Sequence, residues 1–127
     1  MNKPLDRILY AEDEPDIQEV AVLALETVGG FNLKICNSGK EALDAAAEYQ
    51  PDLLLFDVMM PEMDGPTALK EIRSLPGMEN IPVIFMTAKV QPEEIAHYKD
   101  LGAIDVIPKP FDPMSLADAV RDCWNKI

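Results

Sequence analysis

Five side chains that could bind ions or anionic groups stand at the ends of short apolar runs in this sequence. Glu12 and Asp13 follow the first run, Asp57 the third, Thr87 the fourth, and Lys109 comes just after the last. In an open parallel sheet, ligands bind beside the carboxyl ends of the strands, where the strand order reverses. If these runs are strands of one such sheet, three carboxylates, one hydroxyl and one ammonium group share an edge and form a binding site.

The three carboxylates favour a bound cation. Carboxylates that lie close together repel each other, and a cation relieves that repulsion. The set offers oxygen ligands without His or Cys, which suits a hard ion, and Mg²⁺ in particular takes a few carboxylates and keeps several waters. We therefore expect Mg²⁺ as the cofactor. Alone, Asp57 would more often be a polar strand end or a helix cap, so the prediction depends on the whole set.

The elements that must position these residues alternate along the chain. Short apolar runs predict strands at 8–11, 31–36, 53–56, 83–86 and 105–107. Segments with helical spacing separate them, as expected when helices cross between parallel strands. The composition, 48% hydrophobic and 27% charged, is ordinary for a globular chain of 127 residues. The pattern predicts the α/β class, with one doubly wound, five-stranded parallel sheet and a single domain over residues 1–127.

Helix signals accompany the segments between the strands. Ser38 and Glu41 match a capping box at the start of the second helix, and Asp112 with Pro113 predicts the start of the fifth. The buried stripe of the first helix is predicted to comprise Ile17, Val20, Ala21, Ala24, Leu25 and Val28.

The charge balance restricts the partners that we expect. The chain has 23 acidic and 11 basic residues and a net charge of −12, which opposes direct binding to nucleic acid or to anionic lipid. The acidity could serve solubility alone or a cation site. No apolar run approaches the roughly 18 residues of a membrane span and no signal-peptide pattern follows the N-terminus, so we expect a cytoplasmic protein without membrane insertion. Cys36 and Cys123 lack metal-ligand spacing and are expected to be reduced thiols.

The chain resembles bacterial response-regulator receiver domains and is similar in layout to the free-standing regulators of chemotaxis. The resemblance covers essentially the whole chain. It rests on the acidic pair Glu12-Asp13, on LLLFDVMMPEMDG ending at Gly65, on FMTA ending at Ala88, and on IPKPF ending at Phe111. It implies a flavodoxin-like (βα)5 fold with strand order 2-1-3-4-5.

The resemblance also implies a function in a two-component phosphorelay. Asp57 would accept a phosphoryl group from a sensor histidine kinase or a histidine phosphotransfer protein and thereby switch the binding of a downstream protein that the sequence does not identify. Such a domain is a switch rather than an ordinary enzyme, although it phosphorylates itself from small donors with Mg²⁺ and hydrolyses its own aspartyl phosphate. Relatives dimerise through the fourth helix, the last strand and the fifth helix, so a weak homodimer stays open.

The resemblance assigns the metal ligands residue by residue. Asp13, Asp57 and the backbone carbonyl of Met59 would hold Mg²⁺, and Glu12 would act through water. These positions agree with the acidic set already singled out by its place after the apolar runs.

The resemblance gives Thr87 and Lys109 the phosphoryl oxygens. This is physically sensible, because phosphoryl transfer requires positioning and neutralisation of charge more than covalent help from the protein. Before phosphorylation, Lys109 is expected to form a salt bridge with Asp57. The bond between Lys109 and Pro110 is a candidate cis peptide.

The sequence departs from the receiver pattern at Val106, where many relatives carry a Tyr or Phe that swings inward on activation. Either Val106 merely packs, or the signal passes mainly through residues 88–90 and the fourth helix around Glu94 and Tyr98. Met59 flanks the site at a position that tunes phosphate lifetime in the family.

Four other interpretations match parts of the sequence pattern. A haloacid-dehalogenase phosphatase needs a second Asp two residues after its nucleophile, where this chain has Met59. A flavodoxin-type cofactor binder needs a phosphate loop after the first strand, where this chain is acidic. A receiver-shaped interaction module that is not regulated by phosphorylation, and a receiver cut from a larger protein, both remain open.

Overall fold

Five parallel strands form one sheet in the computed structural model, which describes residues 3–127. The strands are β1 (Arg7–Ala11), β2 (Asn32–Cys36), β3 (Leu53–Asp57), β4 (Val83–Thr87) and β5 (Asp105–Pro108). Their order is β2-β1-β3-β4-β5, and each neighbouring pair is parallel. The α/β class and the strand order 2-1-3-4-5 are therefore confirmed.

Five α-helices connect or follow the strands within the described residues. They are α1 (Pro15–Val22), α2 (Gly39–Tyr49), α3 (Gly65–Arg73), α4 (Pro92–Asp100) and α5 (Leu116–Asn125). A π-helical segment, Leu23–Val28, continues α1. Apolar residues of α1 and α5 cover one face of the sheet, and those of α2 and α3 cover the other, with α4 alongside them. None of the helices within residues 3–127 combines the length and apolar character that a bilayer span needs.

Strand β3 lies at the centre of the sheet and is buried along its whole length. Its side chains alternate between the two faces, as strand geometry requires. Leu55 joins the core under α1 and α5, whereas Leu54 and Phe56 join the core under α2 and α3. The continuous apolar run therefore marks a strand covered on both sides, and it delivers Asp57 to the carboxyl edge.

The predicted stripe of the first helix is only partly right. Ala21, Ala24 and Leu25 are fully buried, but Val20 is 38% exposed and Val28 is 48% exposed. Val20 lies at the edge of the stripe. The π-helical segment has a wider turn than an α-helix, so the 3.6-residue period used for the prediction does not continue to Val28.

The predicted helix caps also differ in detail from the structure. The backbone N–H of Glu41 donates to Ser38 Oγ at 3.1 Å, which is one half of the capping box, but Glu41 Oε1 accepts from the N–H of Asn37 instead of that of Ser38. Asp112 Oδ1 accepts from the N–H of Met114 at 2.9 Å and so caps a turn at 113–115. Helix α5 starts only after this turn, so the predicted start at Asp112 was wrong.

Candidate functional site

The carboxyl ends of β1, β3, β4 and β5 bring the predicted site residues to one edge of the sheet. Glu12 and Asp13 directly follow β1, and Asp57 is the last residue of the adjacent β3. One carboxylate oxygen from each of these three residues lies within 4.8 Å of the other two, a spacing that could hold a metal ion. The expected meeting of the three carboxylates is therefore confirmed.

Lys109 enters this carboxylate cluster from just beyond β5. Its Nζ lies 3.0 Å from Glu12 Oε1 and 3.2 Å from Asp57 Oδ2. The expected salt bridge to Asp57 is present, but the shorter contact is to Glu12, which the sequence did not predict. The Lys109–Pro110 peptide bond is cis, as anticipated.

Burial and charge set the protonation states of the bridging pair. Burial raises the pKa of Glu12 to about 7, the hydrogen bond from Lys109 opposes this rise, and the charge of Asp57 adds to it. Burial acts in the opposite direction on Lys109, but its hydrogen bond to Glu12 and the charge of Asp57 prevail and raise the pKa of the ammonium group. Lys109 thus stays charged at neutral pH, while Glu12 titrates near it.

Thr87 ends β4 beside Lys109 and is only 5% exposed. Its carbonyl accepts from the backbone N–H of Lys109 at 2.9 Å, which ties the two strand ends together. Thr87 Oγ1 accepts from the N–H of Lys89 at 3.1 Å, so the hydroxyl hydrogen is left to donate elsewhere. Met59, two residues after the end of β3, is 74% exposed.

Two residues support the site in ways that the sequence did not predict. Gln18 on α1 donates from Nε2 to the carbonyl of Glu12 and, at 2.7 Å, to Asn37 Oδ1, which fixes the turn after β1. A Cβ atom on Gly65 would stand 2.5 Å from the carbonyl oxygen of Asp57, so only glycine allows α3 to begin this close. Gly65 belongs to the quoted motif, but its spacing does not reveal this contact.

Comparisons with known proteins agree with this arrangement. A family model described as a response regulator receiver domain matches residues 8–121. The regulatory protein AtoC of Escherichia coli is 40% identical over 108 residues, which are 85% of this chain and 23% of that protein. The DNA-binding response regulator MtrA of Mycolicibacterium smegmatis is 33% identical over 121 residues, 95% of this chain and 51% of that protein. The chain thus spans at most about half the length of these relatives.

Solved structures show the same fold. The chemotaxis response regulator CheY4 of Vibrio cholerae matches with a TM-score of 0.85 and 26% identity, over 94% of this chain and 98% of that chain. The signal receiver domain of a signal transduction histidine kinase from Syntrophus aciditrophicus matches with a TM-score of 0.80 and 32% identity, over 96% of this chain and 92% of that one.

Proposed function

The chain belongs to the response regulator receiver domain family, and from this premise we propose that Asp57 is its phosphoacceptor. Receiver domains are phosphoacceptor switches of two-component systems and are not classed as enzymes. One observation carries the assignment: Asp57 ends the central strand, is only 4% exposed as a whole residue, and its carboxylate lies beside two other carboxylates and the ammonium group of Lys109. The donor is a phosphohistidine on a sensor kinase or on a histidine phosphotransfer protein.

We propose Mg²⁺ as the cofactor of this site. Asp13 and Asp57 would bind it together with the backbone carbonyl of Met59, and Glu12 would act through a water molecule. The donor set supports this, because three carboxylates with close oxygens outnumber the ammonium group of Lys109 and so leave an excess of negative charge. When bound, Mg²⁺ neutralises charge on the phosphoryl oxygens.

The side chains around Asp57 have separate tasks in this proposal. An oxygen of Asp57 attacks the phosphorus in line, the new O–P bond forms as the P–N bond of the phosphohistidine breaks, and the imidazole leaves. Lys109, already 3.2 Å from Asp57, donates to one phosphoryl oxygen. The hydroxyl of Thr87, which keeps its own hydrogen for donation, holds another.

The same site would limit the lifetime of the switch. Water that reaches the aspartyl phosphate in line with the P–O bond hydrolyses it, so the domain contributes to its own inactivation. Met59, 74% exposed, and Lys89, also exposed, flank the site and would control how easily water enters. Self-phosphorylation from small acyl phosphates follows from the same chemistry.

We infer that the signal leaves the site through residues 88–90 and α4. Val106 is half-buried and too small for an aromatic swing. The ring of Tyr98 instead packs edge-on against Phe85, two residues before Thr87, with 5.5 Å between ring centres. One carboxylate oxygen of Glu94 is buried and has no hydrogen-bond partner in the described chain. A rearrangement of residues 88–90 could bring it a donor. If Val106→Tyr changed phosphorylation-dependent partner binding, this route would be wrong.

The partners and the setting follow from the same proposal. We propose that residues 1–127 form one receiver domain that works in the cytoplasm and passes its signal to a protein. The net charge of −12 argues against direct contact with nucleic acid. A weak homodimer is compatible with the fold.

Intact mass spectrometry tests the proposed chemistry. The wild type is incubated with acetyl phosphate and Mg²⁺, with and without a chelator, beside Asp57→Asn. The proposal expects the gain of one phosphoryl group that requires Mg²⁺ and is absent in Asp57→Asn. No gain in a folded protein would instead favour a receiver-shaped interaction module that phosphorylation does not regulate.

A further inference from the structure

Tyr10 carries a polar group that the structure leaves unsatisfied. Its side chain is 0% exposed in the middle of β1, and among the residues described its hydroxyl has no hydrogen-bond partner. Buried hydroxyl groups nearly always find a partner, because leaving one unpaired costs stability. Apolar packing could be supplied equally well by phenylalanine, so the hydroxyl itself needs an explanation.

The register of the sheet places Tyr10 two residues before the carboxylates, on the same face. Tyr10 pairs with Leu55 of β3, and both side chains point into the core under α1 and α5. Two residues further along, the same face carries Glu12 on one strand and Asp57 on the other. Two residues of strand advance about 6.6 Å, so these carboxylates are the next side chains beyond Tyr10 and Leu55 on this face.

The electrostatics of Tyr10 agree with this placement. Burial is the largest cause that raises the pKa of its hydroxyl, and the charges of Glu12 and Asp57 raise it further. In the described residues the hydroxyl forms no hydrogen bond to either carboxylate.

Glu12 is occupied by other donors in this state. Its Oε1 accepts from Lys109 Nζ at 3.0 Å, and its Oε2 accepts from the backbone N–H of Glu14 at 3.2 Å. A phosphoryl group on Asp57 would draw Lys109 away, since it offers the ammonium group a stronger anionic partner. Glu12, which is fully buried, would then lose the donor at Oε1.

We propose that Tyr10 is a positioning residue whose hydroxyl donates to Glu12 when Lys109 turns to the phosphoryl group on Asp57. This rests on the proposed function and deepens it. The hydroxyl is unpaired before phosphorylation and bonded after it, so Tyr10 favours the phosphorylated arrangement. A hydrogen bond to a charged group changes an equilibrium by roughly tenfold or more.

Two tyrosine-to-phenylalanine comparisons test the inference with one chemical change. The probe is beryllium fluoride with Mg²⁺, an acyl-phosphate mimic, and the measurements are its dissociation constant, the Mg²⁺ affinity alone and urea unfolding. Tyr10→Phe should bind the probe about tenfold more weakly than wild type, with unchanged Mg²⁺ affinity and without loss of stability in the absence of ligand. Tyr49 offers the matched control, because its hydroxyl is bonded to Asn32 at 2.8 Å.

Tyr49→Phe should be less stable than wild type and should bind the probe equally well. Equal probe affinity in wild type and Tyr10→Phe would overturn this inference and leave the proposed function intact. So would a Tyr10→Phe variant that weakens Mg²⁺ and probe binding equally, since that indicates a merely structural role. If wild type does not bind the probe, the proposed function and this inference both fail.

Discussion

Replacing Lys109 by methionine removes the ammonium group that joins Glu12 to Asp57. The contacts are 3.0 and 3.2 Å long, and the side chains are 14%, 0% and 6% exposed for the lysine and the two carboxylates respectively. Breaking a buried pair by removing one partner costs about 3–5 kcal/mol. Without Mg²⁺ we expect Lys109→Met to lower the free energy of unfolding by about 3 kcal/mol. This is the low end of that range, because Glu12 can relieve its repulsion with Asp57 by taking up a proton.

The loss should depend on pH in a definite direction. The pKa of Glu12 is about 7 in the folded protein, above the ordinary 4.5. A carboxylate whose pKa is raised by folding reduces stability as the pH rises from the unfolded toward the folded value. Without Lys109 the charged form is still less favourable, so Lys109→Met should lose more stability at about pH 8 than at about pH 5.5.

Urea unfolding with a chelator present measures this effect, and Lys40→Met is its control. Lys40 Nζ lies 2.9 Å from Asp44 Oδ1, but both side chains are more than half exposed, at 60% and 63%. We expect that variant to lose about 0.5 kcal/mol or less. If Lys109→Met at about pH 8 lost no more stability than Lys40→Met, Lys109 would not form an energetically significant buried ion pair.

Three further outcomes are expected from the packing and charges described. Gly65→Ala should cost about 1–3 kcal/mol in urea unfolding and slow phosphorylation, since its Cβ would stand 2.5 Å from the Asp57 carbonyl; unaltered rates would contradict this. Leu54 is 0% exposed, so Leu54→Ala should lower the free energy of unfolding by about 2–5 kcal/mol without changing the slope of that free energy against urea concentration. A smaller loss would mean that neighbouring side chains refill the cavity. Burial works against ionisation of Asp52, but the 2.7 Å contact from Lys3 and two backbone donors lower its pKa. The stability that the charged Asp52 contributes is present above the unfolded pKa and is lost as the pH falls through the lower folded pKa. Wild type should therefore be more stable than Asp52→Asn at neutral pH, and the difference should shrink in acid. A difference that stays constant with pH would argue against an ionic origin.

Much of the site could be predicted from where polar residues follow apolar runs. The run before Asp57 is apolar at every position, which indicates a strand covered on both faces, and parallel strands place their carboxyl ends together. The positions of Glu12, Asp13 and Asp57 at one edge follow from that logic and were found as expected.

The contacts between strands could not be predicted in the same way. Strand ends fix which side chains share an edge, but not which partner a long and flexible side chain selects. The shorter contact of Lys109 to Glu12, and the unpaired hydroxyl of Tyr10, depend on distances between separate strands. The exposure of Val28 depends on a π-helical turn for which the sequence has no proline or glycine signal inside the segment.

The position of the phosphoryl group within the chain distinguishes Asp57 from the neighbouring carboxylates. After reaction with acetyl phosphate and Mg²⁺, sodium borohydride reduces an aspartyl phosphate to homoserine, and peptide mass spectrometry identifies the reduced residue. We expect homoserine at position 57 alone. Reduction at position 13, or an acyl phosphate on Glu12, would contradict the assignment of Asp57 as the phosphoacceptor.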